Sequence, residues 1–141
     1  MADRLTKADP DNAGWHSNLP VAYIKVGDVL LAQGNLVEAL KSYRKGLAIT
    51  ERLAKADPDN PSRKRDLVAS YGRVGLVFAR QGEATLALDG FSQGRAIVAQ
   101  LEEQFPDDAQ LPNQLAALNA EIAKLKQAAK PEIAQPEHAA R

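Results

Sequence analysis

The pentapeptide Ala8-Asp9-Pro10-Asp11-Asn12 returns unchanged as Ala56-Asp57-Pro58-Asp59-Asn60, 48 residues further on. Pairing residues 8–55 with residues 56–103 gives 18 identities in 48 positions, among them Leu19/Leu67, Tyr23/Tyr71, Val26/Val74, Gly27/Gly75, Gly34/Gly82, Ala39/Ala87, Leu40/Leu88, Gly46/Gly94, Ile49/Ile97 and Leu53/Leu101. A period of this length means one supersecondary unit used in succession. Such a unit cannot bury its apolar side alone and must stack on its neighbour, and stacked units usually present a surface for binding.

Each unit reads as two helices. Leu19, Tyr23, Val26, Gly27 and Leu30 fall at i, i+4, i+7, i+8 and i+11, one stripe of a first helix. Asn12 and Asn60 suit the N-cap, and Pro61 suits the first helical position, where its missing N–H costs nothing. Gln33-Gly34 and Gln81-Gly82 end that helix, because glycine readily takes the left-handed conformation that closes one. A second helix follows at once: Asn35 and Glu38 have capping-box spacing, and Leu36, Ala39, Leu40, Tyr43, Gly46 and Leu47 continue an apolar stripe. So short a link makes the two helices antiparallel. Gly27, Gly46, Gly75 and Gly94 lie inside helices, where each costs about 0.5–1 kcal/mol relative to alanine, so close backbone approach at a helix crossing is expected there. Pro20 also falls inside the first helix. It predicts either a kink near Leu19, the favoured reading since Asn60-Pro61 marks an early start in the second unit, or a main helix that begins only at Pro20.

The third unit stops halfway. Phe105-Pro106-Asp107-Asp108 stands where the Asp-Pro-Asp-Asn turn belongs, and one helix follows over residues 109–129. Its apolar side carries Leu111, Leu115, Leu118, Ile122 and Leu125, and its other side carries Gln114, Glu121, Lys124 and Gln127, which suits a solvated cap on a stack. The alternation by four and three in that leucine series also permits a helical seam between chains. The expected organisation is thus a remnant of a preceding helix and turn over residues 1–12, units over 13–56 and 57–104, a cap over 105–130 and a disordered tail over 131–141. The remnant is inferred because Arg4-Leu5-Thr6-Lys7-Ala8-Asp9-Pro10 echoes Arg52-Leu53-Ala54-Lys55-Ala56-Asp57-Pro58, as though the chain were a fragment of something longer.

Lys plus Arg and Asp plus Glu balance at 18 each, so no long-range field draws nucleic acid or an anionic membrane, and neither is expected as a partner. The absence of cysteine excludes disulfides, thiolate metal sites and cysteine nucleophiles. No apolar run approaches a membrane span and no signal peptide opens the chain, so a cytoplasmic location is expected. His16 and His138 are the only histidines, and no carboxylate cluster has metal-ligand spacing, so neither a catalytic site, a cofactor nor a metal is expected.

With these residues in view, the repeat resembles the tetratricopeptide repeat (TPR). Tyr23-x2-Val26-Gly27-x2-Leu30 with Ala39-x3-Tyr43, and Tyr71-x2-Val74-Gly75-x2-Phe78 with Ala87-x3-Phe91, match that family's helix signatures, and Pro58 and Pro106 match its closing proline. The family period is about 34 residues. This longer one resembles the long-repeat bacterial branch, with each helix extended by about two turns. The resemblance implies an all-α fold, a right-handed superhelix of antiparallel helix pairs, and a non-enzymatic protein-interaction module whose first helices line a concave groove.

At 100° per residue, Val21, Ile24, Asp28 and Leu31 lie away from the core stripe, and the second-unit equivalents Ala69, Gly72, Leu76 and Ala79 are small or apolar. Two readings follow. In one, Val21, Ile24, Lys25, Asp28, Leu31, Arg73, Leu76, Ala79 and Arg80 form a groove for an extended or helical protein segment. In the other, Val21, Ile24 and Leu31 are the uncovered interface of an absent preceding unit, and the chain self-associates, with Leu111, Leu115, Leu118, Ile122 and Leu125 as a second candidate seam. Some TPR proteins hold a C-terminal carboxylate with a clamp of lysines and asparagines on this face; here Ile24, Asp28 and Gly72 occupy much of it, so such a clamp is not expected. Arg63-Lys64-Arg65 reads as a solvated helix end balanced by Asp59 and Asp66, and Trp15 as cover for the end of the helix pair.

Overall fold

The computed structural model describes residues 13–129, with side chains placed for residues 19–128. The regular structure of the described residues is helical throughout: α1 Ala13–Ala32, α2 Leu36–Ala56, α3 Pro61–Arg80, α4 Ala84–Gln104 and α5 Gln110–Ala129. Shifting α1 and α2 by 48 residues reproduces the bounds of α3 and α4 at both ends, so the sequence period is also a structural one. The expected cap at Asn12, the side chains of Trp15 and His16, the remnant over residues 1–12 and the tail over 131–141 lie outside the described residues.

Local chemistry sets each helix end. Gly34 and Gly82 both adopt φ 79°, the left-handed geometry that a Cβ disfavours. In each, the glycine N–H donates to the carbonyl three residues back, Leu31 or Ala79, and the next N–H reaches Leu30 or Phe78, which satisfies carbonyls the helix leaves open. Asn35 Oδ1 accepts from the Glu38 N–H at 3.3 Å, while the Glu38 carboxylate turns to Lys41 at 3.5 Å. Asn60 Oδ1 accepts from the Ser62 N–H at 2.9 Å, and Asp108, at the same position of the next unit, accepts from the Gln110 N–H at 2.9 Å. Arg65 crosses to that same Asp108 carboxylate at 2.7 Å, and Lys64 donates to Gln104 at 3.2 Å. The basic run is therefore more than a solvated end: Lys64 ties the start of α3 to the end of α4, and Arg65 ties it to the turn before α5.

Each helix packs mainly on its neighbours in sequence, so α3 lies between α2 and α4. The contacts pair early residues of one helix with late residues of the next, as antiparallel packing requires. Ser42 donates to the Tyr23 carbonyl at 2.7 Å, Tyr71 to Glu51 at 2.7 Å, and Arg44 sits 5.2 Å above the Phe78 ring. One core runs through all these layers, with Tyr43, Val77, Val98, Leu101 and Leu111 fully buried.

Within each pair an aromatic ring lies flat on a glycine. A Cβ added at Gly27 would clash with Tyr43 Cε1, and one at Gly75 would stand 3.0 Å from the Phe91 ring. No side chain larger than hydrogen fits at Gly27, which is what offsets the helical cost of the residue there. A Cβ added at Gly46 would stand 3.2 Å from Tyr23 Cβ and 3.3 Å from the Pro20 carbonyl, whereas one at Gly94 would make only ordinary contacts with Leu118 and the Val68 carbonyl. Pro20 does not start the helix: α1 begins at Ala13 and continues through it.

Val26 departs from the expected stripe. It is 52% exposed, as is Val29 at 58%, whereas Val74 and Val77 at the same positions of α3 are 7% and 0% exposed. The reason is geometric: α3 has α2 behind it, and α1 has no described helix in that place.

These contacts separate glycines that composition treats alike. Gly27→Ala is expected to lower the unfolding free energy by about 1–3 kcal/mol through overpacking against Tyr43. Gly72→Ala, whose Cβ would meet nothing within 4 Å, should raise it by roughly 0.5–1 kcal/mol. Urea unfolding of the two variants checks this, and equal effects of the same sign would contradict the packing described.

Candidate functional site

A groove of about 580 Å³ runs between α1 and α3, lined by Asp28, Leu31 and Ala32 of α1, Tyr43 of α2, and Val68, Ala69, Gly72, Arg73, Leu76 and Arg80 of α3. Gly72 forms part of its lining without a side chain, and a Cβ there would point into open space. The lining is mostly apolar. Its cations are Arg73 and Arg80, and among the described residues only Arg73 of the two is in an ion pair.

Arg73 is held by a network that spans three helices. Its Nε donates to Asp28 Oδ1 at 3.0 Å and its Nη2 to Asp28 Oδ2 at 3.4 Å. The Tyr43 hydroxyl donates to the same Asp28 carboxylate. Tyr43 thus does two jobs: its ring covers Gly27 inside the pair, and its buried hydroxyl holds Asp28 at the floor of the groove. Burial acts to raise the Asp28 pKa, but the hydrogen bonds from Arg73 and Tyr43, with the Arg73 charge, outweigh it and hold the carboxyl below its ordinary value. Burial and the adjacent Asp28 carboxylate push the Tyr43 hydroxyl well above the usual phenol range. On the opposite side of α3, burial and the hydrogen bond to Glu51 push Tyr71 up to about 12.

The second pair has no such network, because both of its polar positions change together. Phe91 stands where Tyr43 does, and Leu76 where Asp28 does. The first pair thus lays an acid at the groove, held by a phenol, and the second lays a leucine there.

Of the residues expected to form a groove, Asp28, Leu31, Arg73, Leu76 and Arg80 line this one. Val21 and Lys25 are exposed outside its lining, while Ile24 and Ala79 are half-buried and pack against the core. Val68, Ala32 and Tyr43 line the groove although sequence reasoning did not place them there. The Tyr43/Phe91 and Asp28/Leu76 exchanges carried a usable signal for Tyr43, since two matched columns switch polarity in step. The second candidate set, on α5, is turned inward: Leu111, Leu118 and Ile122 are buried, and Leu115 and Leu125 are half-buried against the core.

Among the described residues, no three of His, Cys, Asp or Glu gather so as to hold a metal ion, and no helix is long and apolar enough to cross a membrane. In comparison with known proteins, no family model matches the chain, and no curated protein matches it in sequence.

The network has a pH signature. The Asp28 pKa is lowered on folding, so the carboxylate contributes stability above its unfolded value near 4, and that contribution is lost as pH falls through the folded value. Both partners are well exposed, which limits the effect to about 1 kcal/mol or less. Asp28→Asn should therefore lower stability slightly at neutral pH and flatten its decline below about pH 4. Thermal unfolding across that range is the measurement, and an unchanged acid decline in the variant would contradict the role assigned to Asp28.

Proposed function

We propose that the chain is a non-enzymatic protein-interaction module of the tetratricopeptide-repeat kind, in which two helix pairs and a capping helix follow a right-handed superhelix and one protein segment lies in the groove between α1 and α3. The observation that carries this reading is the groove itself. It joins an apolar lining, a strip of open backbone at Gly72 and a cation, Arg80, that makes no ion pair among the described residues. Surfaces of this make-up suit an extended or helical segment whose apolar side chains face Leu31 and Leu76, while an acidic group answers Arg80. Arg73 contributes less charge to such a partner, since Asp28 already neutralises it.

The helix signatures around Tyr23, Gly27, Tyr71 and Gly75 support the family assignment, as does the coincidence of helix bounds at the 48-residue shift. A bacterial origin and a cytoplasmic location accompany this reading. Self-association through α5 has less support, because its leucine series already serves the core of its own chain.

Gly72→Leu is the informative variant, since it fills the groove from a position whose Cβ touches nothing. Screened against a displayed peptide library, the wild type is expected to select apolar sequences bearing an acidic residue. Gly72→Leu should reduce capture of those sequences at least tenfold without loss of helicity, and Arg80→Ala should weaken those with the acidic residue selectively. Equal capture by wild type and Gly72→Leu would remove the groove from the account.

A further inference from the structure

The two helix pairs repeat one another in sequence and in bounds, yet one face is treated oppositely in the two. On α3, Ser70, Val74 and Val77 fall within about 60° of the helix circumference and are buried. Val74 lines a hollow with Arg44, Leu47 and Glu51 of α2 and with Leu86, Asp89 and Gly90 of α4; α1 has its counterpart of α4 in α2, but no described counterpart of the helix in front. On α1 the same columns hold Ala22, Val26 and Val29, and both valines are more than half exposed. Exposed valines on a helix whose internal copy buries them need an occupant, and the molecule itself shows which kind fits. Independently, residues 4–10 match residues 52–58, which end α2 and lead into α3, at six of seven positions, with Thr6 in place of Ala54.

We infer that the Ala22, Val26 and Val29 face of α1 is a docking surface for an α2-type amphipathic helix, antiparallel to α1, contributed by a further repeat of the same 48-residue kind placed ahead of it. The chain is thereby a unit built to extend an array at this end. At the other end of the described residues, α5 covers α4 with Leu111, Leu118 and Ile122 and turns Gln114, Lys124 and Gln127 outward. The inference concerns a different face from the peptide groove, and it stands or falls separately from what that groove binds.

The test duplicates the first unit. Residues 13–51 are placed ahead of Arg4 in the full chain, replacing residues 1–3, so that the 48-residue register continues into Arg4-Leu5-Thr6-Lys7-Ala8. The longer chain then holds two copies of Val26, an inner one under the added pair and an outer one facing solvent. Val26→Asp in the inner copy is expected to lower Tm by about 5 °C or more. The same change in the outer copy, or in the original chain, should leave Tm within about a degree. Equal shifts at the two copies would overturn the inference. Light scattering of the original chain at rising concentration provides the other arm. A mass that stays monomeric supports the inference, and a dimer dispersed by Val26→Asp would overturn it by making a second copy the occupant.

Discussion

The contact of an aromatic ring with bare helix backbone governs this molecule. Tyr43 on Gly27 brings its helix pair closer than a side chain at the glycine would allow, and Phe91 on Gly75 leaves a Cβ there only a tight contact. The neighbouring contacts depend on that closeness. Ser42 reaches the Tyr23 carbonyl at 2.7 Å, and at the same position of the second pair Gly90 lies directly on Gly75 and the Tyr71 carbonyl. A hydroxyl that spans the gap in one pair is thus exchanged in the other for a glycine that removes it. Interiors this dense respond to the addition of a single methyl, which is why the cost of glycine in a helix is accepted at these positions.

The same ring connects packing to the groove. Because Tyr43 lies flat against α1, its hydroxyl meets Asp28, and Asp28 in turn holds Arg73 of the next pair. This network is half exposed and contributes little to stability by itself. Its effect is positional: it fixes α1 against α3 at the level where Gly72 and Leu76 open the groove. Where Phe91 and Leu76 take over these columns, the anchor is lost and the surface becomes apolar. The groove is therefore asymmetric along the stack, with its fixed charge pair toward α1 and, at the C-terminal end of α3, Arg80, which makes no ion pair among the described residues.

Much of the architecture was legible because it rests on periodicity. Helix ends at Gly34 and Gly82, caps at Asn35 and Asn60, and close approach at Gly27 and Gly75 all follow from residue type and spacing. The errors came from positions whose fate depends on a neighbour rather than on their own helix. Val26 shares its column and its residue type with Val74, and only the helix in front differs. Ile24 and Leu31 looked equally free on a helical wheel, but Ile24 packs inward outside the groove while Leu31 touches both core and groove. Arg65 and Lys64 were paired with acids nearby in sequence, whereas the structure brings Asp108 and Gln104 to them from 43 and 40 residues away. Tertiary partners of long side chains leave no trace in a local window.

The most direct test of the ring-on-glycine arrangement is the chemical shift of the glycine α-protons in solution. The account predicts that the α-protons of Gly27 and Gly75 are displaced strongly upfield by the Tyr43 and Phe91 rings and show cross-relaxation to those ring protons, while those of Gly72 show neither. Gly27 and Gly75 α-protons at ordinary helical shifts, with no cross-relaxation to Tyr43 or Phe91, would contradict it.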